Sequence, residues 1–149
     1  MARTEIEISA SPEEIFRSLE DCRTYETWLV GCKEIRAVER AWPEPGARFF
    51  HRVGFGPLTI DDSTKVISID PGKELVLEAR ARPAGVAHVR FTVTPQGGNT
   101  VVAINELPKR GLAAALWNPA FQVMVHMRNK ESLRRLKNFV EEKSARSDA

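Results

Sequence analysis

Two histidines carry most of the chemistry that this 149-residue sequence offers. His51 and His126 have an ordinary pKa near ~6.5, so either can take up or release a proton close to neutral pH. Both are therefore the catalytic candidates, as proton shuttles. Two amides, Gln122 and Asn129, share a segment with His126. Beyond these the chain is reticent. A nucleophilic triad needs a Ser or Cys, a His and an acid within mutual reach, and spacing singles out no such set. There is no Gly-rich phosphate loop and no His, Cys, Asp and Glu cluster with metal-ligand spacing. Cys22 and Cys32 stand without a second pair or a ligand-spaced histidine, which suits reduced thiols better than a disulfide framework or a zinc site. The expectation is a protein that works with no metal and no cofactor.

The elements that must position these side chains are read from periodicity. "TEIEIS" alternates Ile6 and Ile8 with charged neighbours, the period of a half-buried strand. "SASPEEIFRSLED" then offers Ser11 as an N-cap, Pro12 at the first helical position and Glu14 three residues after the cap, so a helix starts at about residue 12. "CRTYETWLV" continues with Tyr25, Trp28 and Leu29 at the spacing of a second short helix. From residue 33 to residue 108 six strands follow, "KEIRAVER", "ARFFHRVGF", "LTIDDSTKVISI", "ELVLEARAR", "GVAHVRFTVT" and "TVVAINEL". They are separated by the turn chemistry of "WPEPG", "GFGP", "DPGK", "RPAG" and "PQGGN". In the fifth of these strands Ala87, Val89, Phe91 and Val93 form one dry face, leaving His88 and Arg90 on the wet one. In "ARFFHRVGF" the set Phe49, His51, Val53 and Phe55 is mostly apolar and faces inward, carrying His51 with it. Glu106 shares a face with Val102 and Ile104, so either it points inward or a bulge re-aims it.

"WNPAFQVMVHMRNKESLRRLKNFVEE", residues 117 to 142, reads as one long helix. The order is thus strand, two short helices, six strands, long helix. The predicted fold class is α+β: a seven-stranded, curved antiparallel sheet wrapped around the C-terminal helix, since only that helix is long enough to cover the dry face. One domain fills residues 1–149, with an ordered core at about 3–142 and a frayed tail at 143–149. A chain of this length buries roughly 70% of its extended surface, enough for a core without staples. On "IEISASPEEIFRSLED", "TYETWL", "ISIDPGKELVLEAR" and "MRNKESLRRLKNFVEE" the chain resembles the START-like, Bet v 1-like helix-grip superfamily, in particular its bacterial polyketide cyclase/dehydrase and lipid-transport group. The resemblance implies a cavity between sheet and helix, and either carriage of a hydrophobic molecule or cyclase chemistry. In the related aromatic stretch a proline stands where this chain has Glu26, so the turn before Trp28 differs, and Trp28 is as well suited to the core as to a pocket.

On a helical projection from Leu136, at about 100° per residue, Leu133, Val140, Asn129, Val125 and Gln122 fall within about 60°. Leu116, Ala120, Val123 and Met127 lie opposite, and Arg128, Arg134, Arg135 and Lys137 fall mostly off the stripe. The first half of the helix is apolar nearly all round, so the segment Leu112 to Met127 needs cover on two sides: sheet or cavity on one, and a second copy, the loops or a ligand on the other. Gln122, His126 and Asn129 sit on or beside the inner stripe. Each is either satisfied by strand carbonyls and water or fixes a ligand. The candidate ligand-binding set is Trp28, Phe49, His51, Phe91, Gln122, Val125, His126 and Asn129. With 22 basic and 20 acidic residues the charge is nearly balanced, which points away from nucleic acid. No window approaches a membrane span and the first residues lack a signal-peptide pattern, so a cytoplasmic location is expected. Three functions remain: a carrier or sensor of a polyketide-, lipid- or sterol-like molecule, a polyketide cyclase/aromatase-type enzyme, and a protein-interaction module using the apolar helix surface, with a homodimer through Leu112 to Met127 as one form of contact.

Overall fold

The computed structural model describes residues 2–82, 85–111 and 118–147. The chain opens with strand β1 (Ala2–Ile8), then helix α1 (Pro12–Glu20), a 3-10 turn (Cys22–Thr24) and the short helix α2 (Tyr25–Trp28). Six strands follow: β2 (Cys32–Val38), β3 (Arg48–Phe55), β4 (Leu58–Asp70), β5 (Glu74–Ala81), β6 (Gly85–Gln96) and β7 (Asn99–Arg110). The last element is the long helix α3 (Pro119–Ser147). All seven strands form one antiparallel sheet in the order β1-β7-β6-β5-β4-β3-β2, so the expected helix-grip architecture is present. One boundary differs: α3 continues through the tail expected to fray. Along that extension Glu142 is paired to Arg146 four residues on, at 3.7 Å, a spacing that gives a helix modest support.

Local chemistry sets the starts and stops. Ser11 caps α1, its Oγ accepting from the Glu14 amide at 3.2 Å, with Pro12 at the first helical position. The helix buries Ile15, Phe16 and Leu19 and leaves Glu13 and Arg17 outside. The β3–β4 hairpin is tight because Gly54 has φ +152°, and a Cβ there would lie 2.0 Å from the Leu58 carbonyl oxygen; only glycine allows that approach.

Strand register decides which face is dry. His51 stands opposite Asp62, Phe49 opposite Thr64 and Val53 opposite Ile60. Leu75, Leu77 and Ala79 stand opposite Phe91, Val89 and Ala87, and Phe91 and Val93 opposite Ile104 and Val102. Opposed residues share a face, so these side chains all point to the concave side, and a slip of one residue would turn every one of them out. On that side α3 presents Leu133, Leu136 and Val140, all buried, each worth about 1.5–3 kcal/mol of burial. The helix also docks through Ser132, whose Oγ accepts from the Val30 amide at 3.0 Å.

The two ends of the concave face differ. One end is filled by α1 and α2. Trp28 is wholly buried, edge-on to Phe91 at 5.9 Å and to Tyr25 at 5.1 Å. Phe49 meets Tyr25 at 5.6 Å and Trp42 at 5.0 Å. At the other end, among the described residues, no helix reaches the middle strands as closely, and the inward residues Val53, Ile60, Ala79, Ala87 and Val89 are only partly covered. This partly covered end of the concave face is termed the trough.

Candidate functional site

The trough is built from short side chains. Ala79 on β5 and Ala87 on β6 oppose each other, so two neighbouring strands contribute almost nothing to fill the space between sheet and helix. Along its β3–β4 wall stand His51, Asp62 and Thr64, all buried. Against its β1–β7 wall lie Thr4, Glu106 and Asn129, also buried. Near the start of α3 a depression of about 340 Å³ opens to solvent, lined by Pro119, Gln122, Val123 and His126.

His51 is the anomaly. It is 3% exposed, and among the described residues its Nδ1 and Nε2 are the buried side-chain polar atoms with no hydrogen-bond partner. Period-two alternation forces it inward between Phe49 and Val53, and the Phe49 ring lies 5.6 Å away. Burial pushes the imidazole pKa below its usual 6.5, against the upward pull of the neighbouring Ser63 backbone and the Asp62 carboxylate. The ring is therefore neutral at pH 7, with one nitrogen that donates and one that accepts; neither has a partner in hydrogen-bond geometry, although the Ser63 backbone lies close enough to favour the protonated ring. An unmet polar atom of this kind costs about 1–3 kcal/mol.

The two carboxylates on the concave face are, by contrast, fully engaged. Asp62 accepts from the Arg82 guanidinium at 2.9 and 3.0 Å, from the Arg82 amide at 2.9 Å and from the Ser63 amide at 2.9 Å. Burial opposes its ionisation, yet these donors overcome that and hold the carboxyl at about 2, below its usual 3.8. Arg82 sits at the end of β5 with its side chain largely in solvent, so it acts as a cap over the buried acid. Glu106 points inward, and its Oε1 accepts from Arg128 and from Asn129 Nδ2, the latter at 3.3 Å. Arg128 Nη2 also donates to Asn129 Oδ1 at 3.2 Å. This triad fastens the middle of α3 to β7 and satisfies the Asn129 amide on both sides.

These positions refine the sequence reading. The helical phase holds: Leu133, Leu136, Val140, Asn129 and Val125 are buried, Gln122 is half-buried, and Ala120, Val123 and Met127 are exposed. His126 was expected beside the inner stripe, but it is exposed. Its Nδ1 instead shares a hydrogen bond of 2.8 Å with the Thr4 hydroxyl at the sheet edge. Three residues, about 300° of rotation, separate it from Asn129, and the remaining offset of about 60° carries it off the concave side. Arg128, taken as lying off the stripe, bends back to reach Glu106. The apolar segment was expected to be covered on every side, yet Val123, Met124 and Met127 are 59, 57 and 64% exposed in the single chain; its first residues, 112–117, lie outside the described residues. Trp28, Phe49 and Phe91 fall together in the core beneath α1 and α2, whereas His51 borders the trough and Gln122 and His126 line the depression. Asp62 went unnoticed in the sequence although a signal was present. Ile60, Asp62, Thr64 and Val66 share one parity, so one acid of the pair "DD" had to face inward. Nothing in the sequence ties Arg82 to it.

A sequence profile described as polyketide cyclase / dehydrase and lipid transport matches residues 2–141. The chain belongs to that family. No curated protein matches it. Among solved structures, NE0264 from Nitrosomonas europaea is similar with a TM-score of 0.73 at 15% identity, covering 97% of this chain and 97% of that one. A START superfamily protein from Mycobacterium smegmatis gives 0.71 at 17% identity, covering 94% and 96%. The di-domain ARO/CYC StfQ from the steffimycin biosynthetic pathway gives 0.70 at 12% identity, covering 97% of this chain and 52% of that one. Likeness at such identity establishes the fold that this family member shares with them. Among the described residues no helix is long and apolar enough to cross a membrane, and no group of His, Cys, Asp and Glu is placed to hold a metal ion.

Proposed function

We propose that this protein binds an apolar small molecule, polyketide-, lipid- or sterol-like, in the trough between the sheet and the first half of α3. The observation that carries the reading is His51, a buried imidazole with both nitrogens unmet, set in a wall of partly covered apolar residues. An occupant that covers Val53, Ala79 and Ala87 removes that apolar surface from water, and a shift of the side chains that seal His51 would let its polar group reach one ring nitrogen. Enclosing ~300 Å² of ligand at about 25 cal/mol per Å² offers on the order of 7 kcal/mol before association costs, which reaches micromolar affinity when the pocket is preformed. Membership of a family described for polyketide cyclase / dehydrase and lipid transport supports this. The reading takes the chain as a single binding domain acting in the cytoplasm, with no metal, cofactor or nucleic acid.

A cyclase-type enzyme is the second reading, favoured by the same histidine: a neutral imidazole inside an apolar wall is a competent proton acceptor. The exposed Val123, Met124 and Met127 face favours a third, in which a partner or second copy covers the start of α3. Native mass spectrometry of the purified protein, followed by calorimetry with a panel of aromatic polyketides, flavonoids, sterols and fatty acids, decides. Binding in the micromolar range that is abolished by Ala87→Phe, a substitution that fills the trough, is the expected result. Absence of binding across the panel and of any co-purifying molecule overturns both ligand readings and leaves the interaction module.

A further inference from the structure

His51 and Asp62 stand directly across from each other on β3 and β4, with Cβ atoms about 5 Å apart, yet they do not bond. The imidazole is sealed, both nitrogens buried and without a partner. The carboxylate is already engaged by Arg82, through its amide at 2.9 Å and its guanidinium at 3.0 and 2.9 Å, and by the Ser63 amide at 2.9 Å. The ladder between β4 and β5 ends at the Thr64–Ala79 pair, so the Arg82–Asp62 contact is what fastens the end of β5 to β4 beyond it. The Arg82 side chain is 61% exposed, and on release its guanidinium is solvated at once.

The other charges around the ring are committed elsewhere. Asp61 is forked by Arg52 at 2.9 and 3.2 Å. Arg36 on β2 donates to the His51 carbonyl oxygen at 3.3 Å and opposes a second positive charge. Ile35 faces His51 on β2, and behind it Glu26 of α2 accepts from the Ile35 amide at 2.6 Å. On the α3 side Glu106 is held by Arg128 and Asn129. Asp62 is thus the anion that a protonated His51 meets.

We propose that His51 and Arg82 compete for Asp62, and that acidification passes the carboxylate from the arginine to the histidine, releasing the end of β5 from β4. In this exchange the ring nitrogen that lacks a hydrogen takes a proton from water. Asp62 stays ionised, Arg82 keeps its charge and moves into solvent, and the chain gains one positive charge. Because both nitrogens are sealed, the proton arrives only in a locally opened state, which the new ion pair then holds. Burial opposes the charged ring and the Asp62 carboxylate favours it, so the carboxylate brings the exchange within reach. The device operates with the trough empty and does not depend on the binding reading.

An NMR titration of the full chain from about pH 8 to about pH 4.5, following the His51 ring and the Arg82 amide together, tests this. The expected result is a His51 midpoint below 6.5 and an Arg82 amide signal, the reporter of its bond to Asp62, that shifts with the same midpoint. Arg82→Gln removes the competing cation, so the His51 midpoint rises by about one unit, a tenfold change in proton affinity. Asp62→Asn removes the anion, so the midpoint falls. His51→Leu abolishes the shift of the Arg82 amide over this range. The exchange is overturned by a ring that stays neutral throughout, by whole-chain unfolding before the ring titrates, by an Arg82 amide that ignores the titration, or by a midpoint that Arg82→Gln leaves unmoved. That last variant lies on the exposed side, so it decides even where Asp62→Asn fails to fold.

Discussion

Replacing His51 by leucine should make the unliganded protein more stable, which is unusual for a buried position. The wild-type ring holds two polar nitrogens away from water without partners, a deficit of about 1–3 kcal/mol. Leucine has similar bulk, so it removes that deficit with little change in packing. The tilted contact with Phe49 at 5.6 Å is lost, and such ring pairs contribute about 0.5–1.5 kcal/mol. The net expectation is a gain of about 1 kcal/mol, or a Tm rise of about 2–4 °C for a chain of this length. Urea unfolding followed by circular dichroism measures it. The pH dependence gives an independent reading. The folded pKa of His51 lies below its unfolded value of 6.5, so the unfolded state binds more protons in the window between the two. Stability is then full above 6.5, falls as the pH drops from there through the lower folded value, and levels off below it. In His51→Leu that segment of slope should vanish. A variant destabilised by more than ~1 kcal/mol, or a pH slope that persists unchanged below 6.5, would refute the orphaned-imidazole argument and with it the main support for a ligand at this wall. Ligand affinity should move the other way, falling in His51→Leu for a probe with a hydroxyl and staying level for naphthalene.

Asn129 bonds to protein on both sides, to Glu106 and Arg128, so Asn129→Leu and Asn129→Ala should each cost about 1–3 kcal/mol by urea unfolding, since either leaves the same groups unpaired; free tolerance of the leucine would show that the triad contributes little. Cys22 and Cys32 should resist alkylation by iodoacetamide at pH 8 in the folded protein and react promptly in urea. Burial, aided by the Asp21 charge, pushes the Cys22 thiol up to about 12, and burial with the Glu26 charge pushes Cys32 up to about 11. Fast labelling of either thiol under native conditions would contradict their place in the core.

The fold was legible because two periods run cleanly through the chain. Alternation in "RFFHRV" and "VAHVRFTV" placed Phe49, His51, Val89 and Phe91 on one face without any knowledge of neighbours, since a strand's side chains alternate whatever it pairs with. The capping signal at Ser11 located α1 to the residue. The phase of α3 was read correctly for Leu133, Leu136, Val140 and Asn129, because a helix of that length presents one stripe to a sheet. The site was less legible. His126 missed the inner face by a fraction of a turn, a distinction that a projection of about 100° per residue draws poorly at the edge of a stripe. Arg128 was placed off the apolar stripe by its position on the helix, but a long side chain reaches across its own helix when a buried acid stands within range.

Sequence by itself determined that seven strands and a long helix must cover one another, that His51 faces inward, and that no phosphate loop or spaced ligand set is present. These are local properties, fixed by turn chemistry, period and residue type. Tertiary structure alone decided the rest. Which end of the sheet α1 and α2 would fill, leaving Ala79 and Ala87 only partly covered at the other, depends on how helices pack across strands distant in sequence. That Asp62 would meet Arg82 and Glu106 would meet Arg128 follows from strand register and from the tilt of α3. Whether a buried histidine finds a partner is a question about every atom around it, and no pattern along the chain contains the answer.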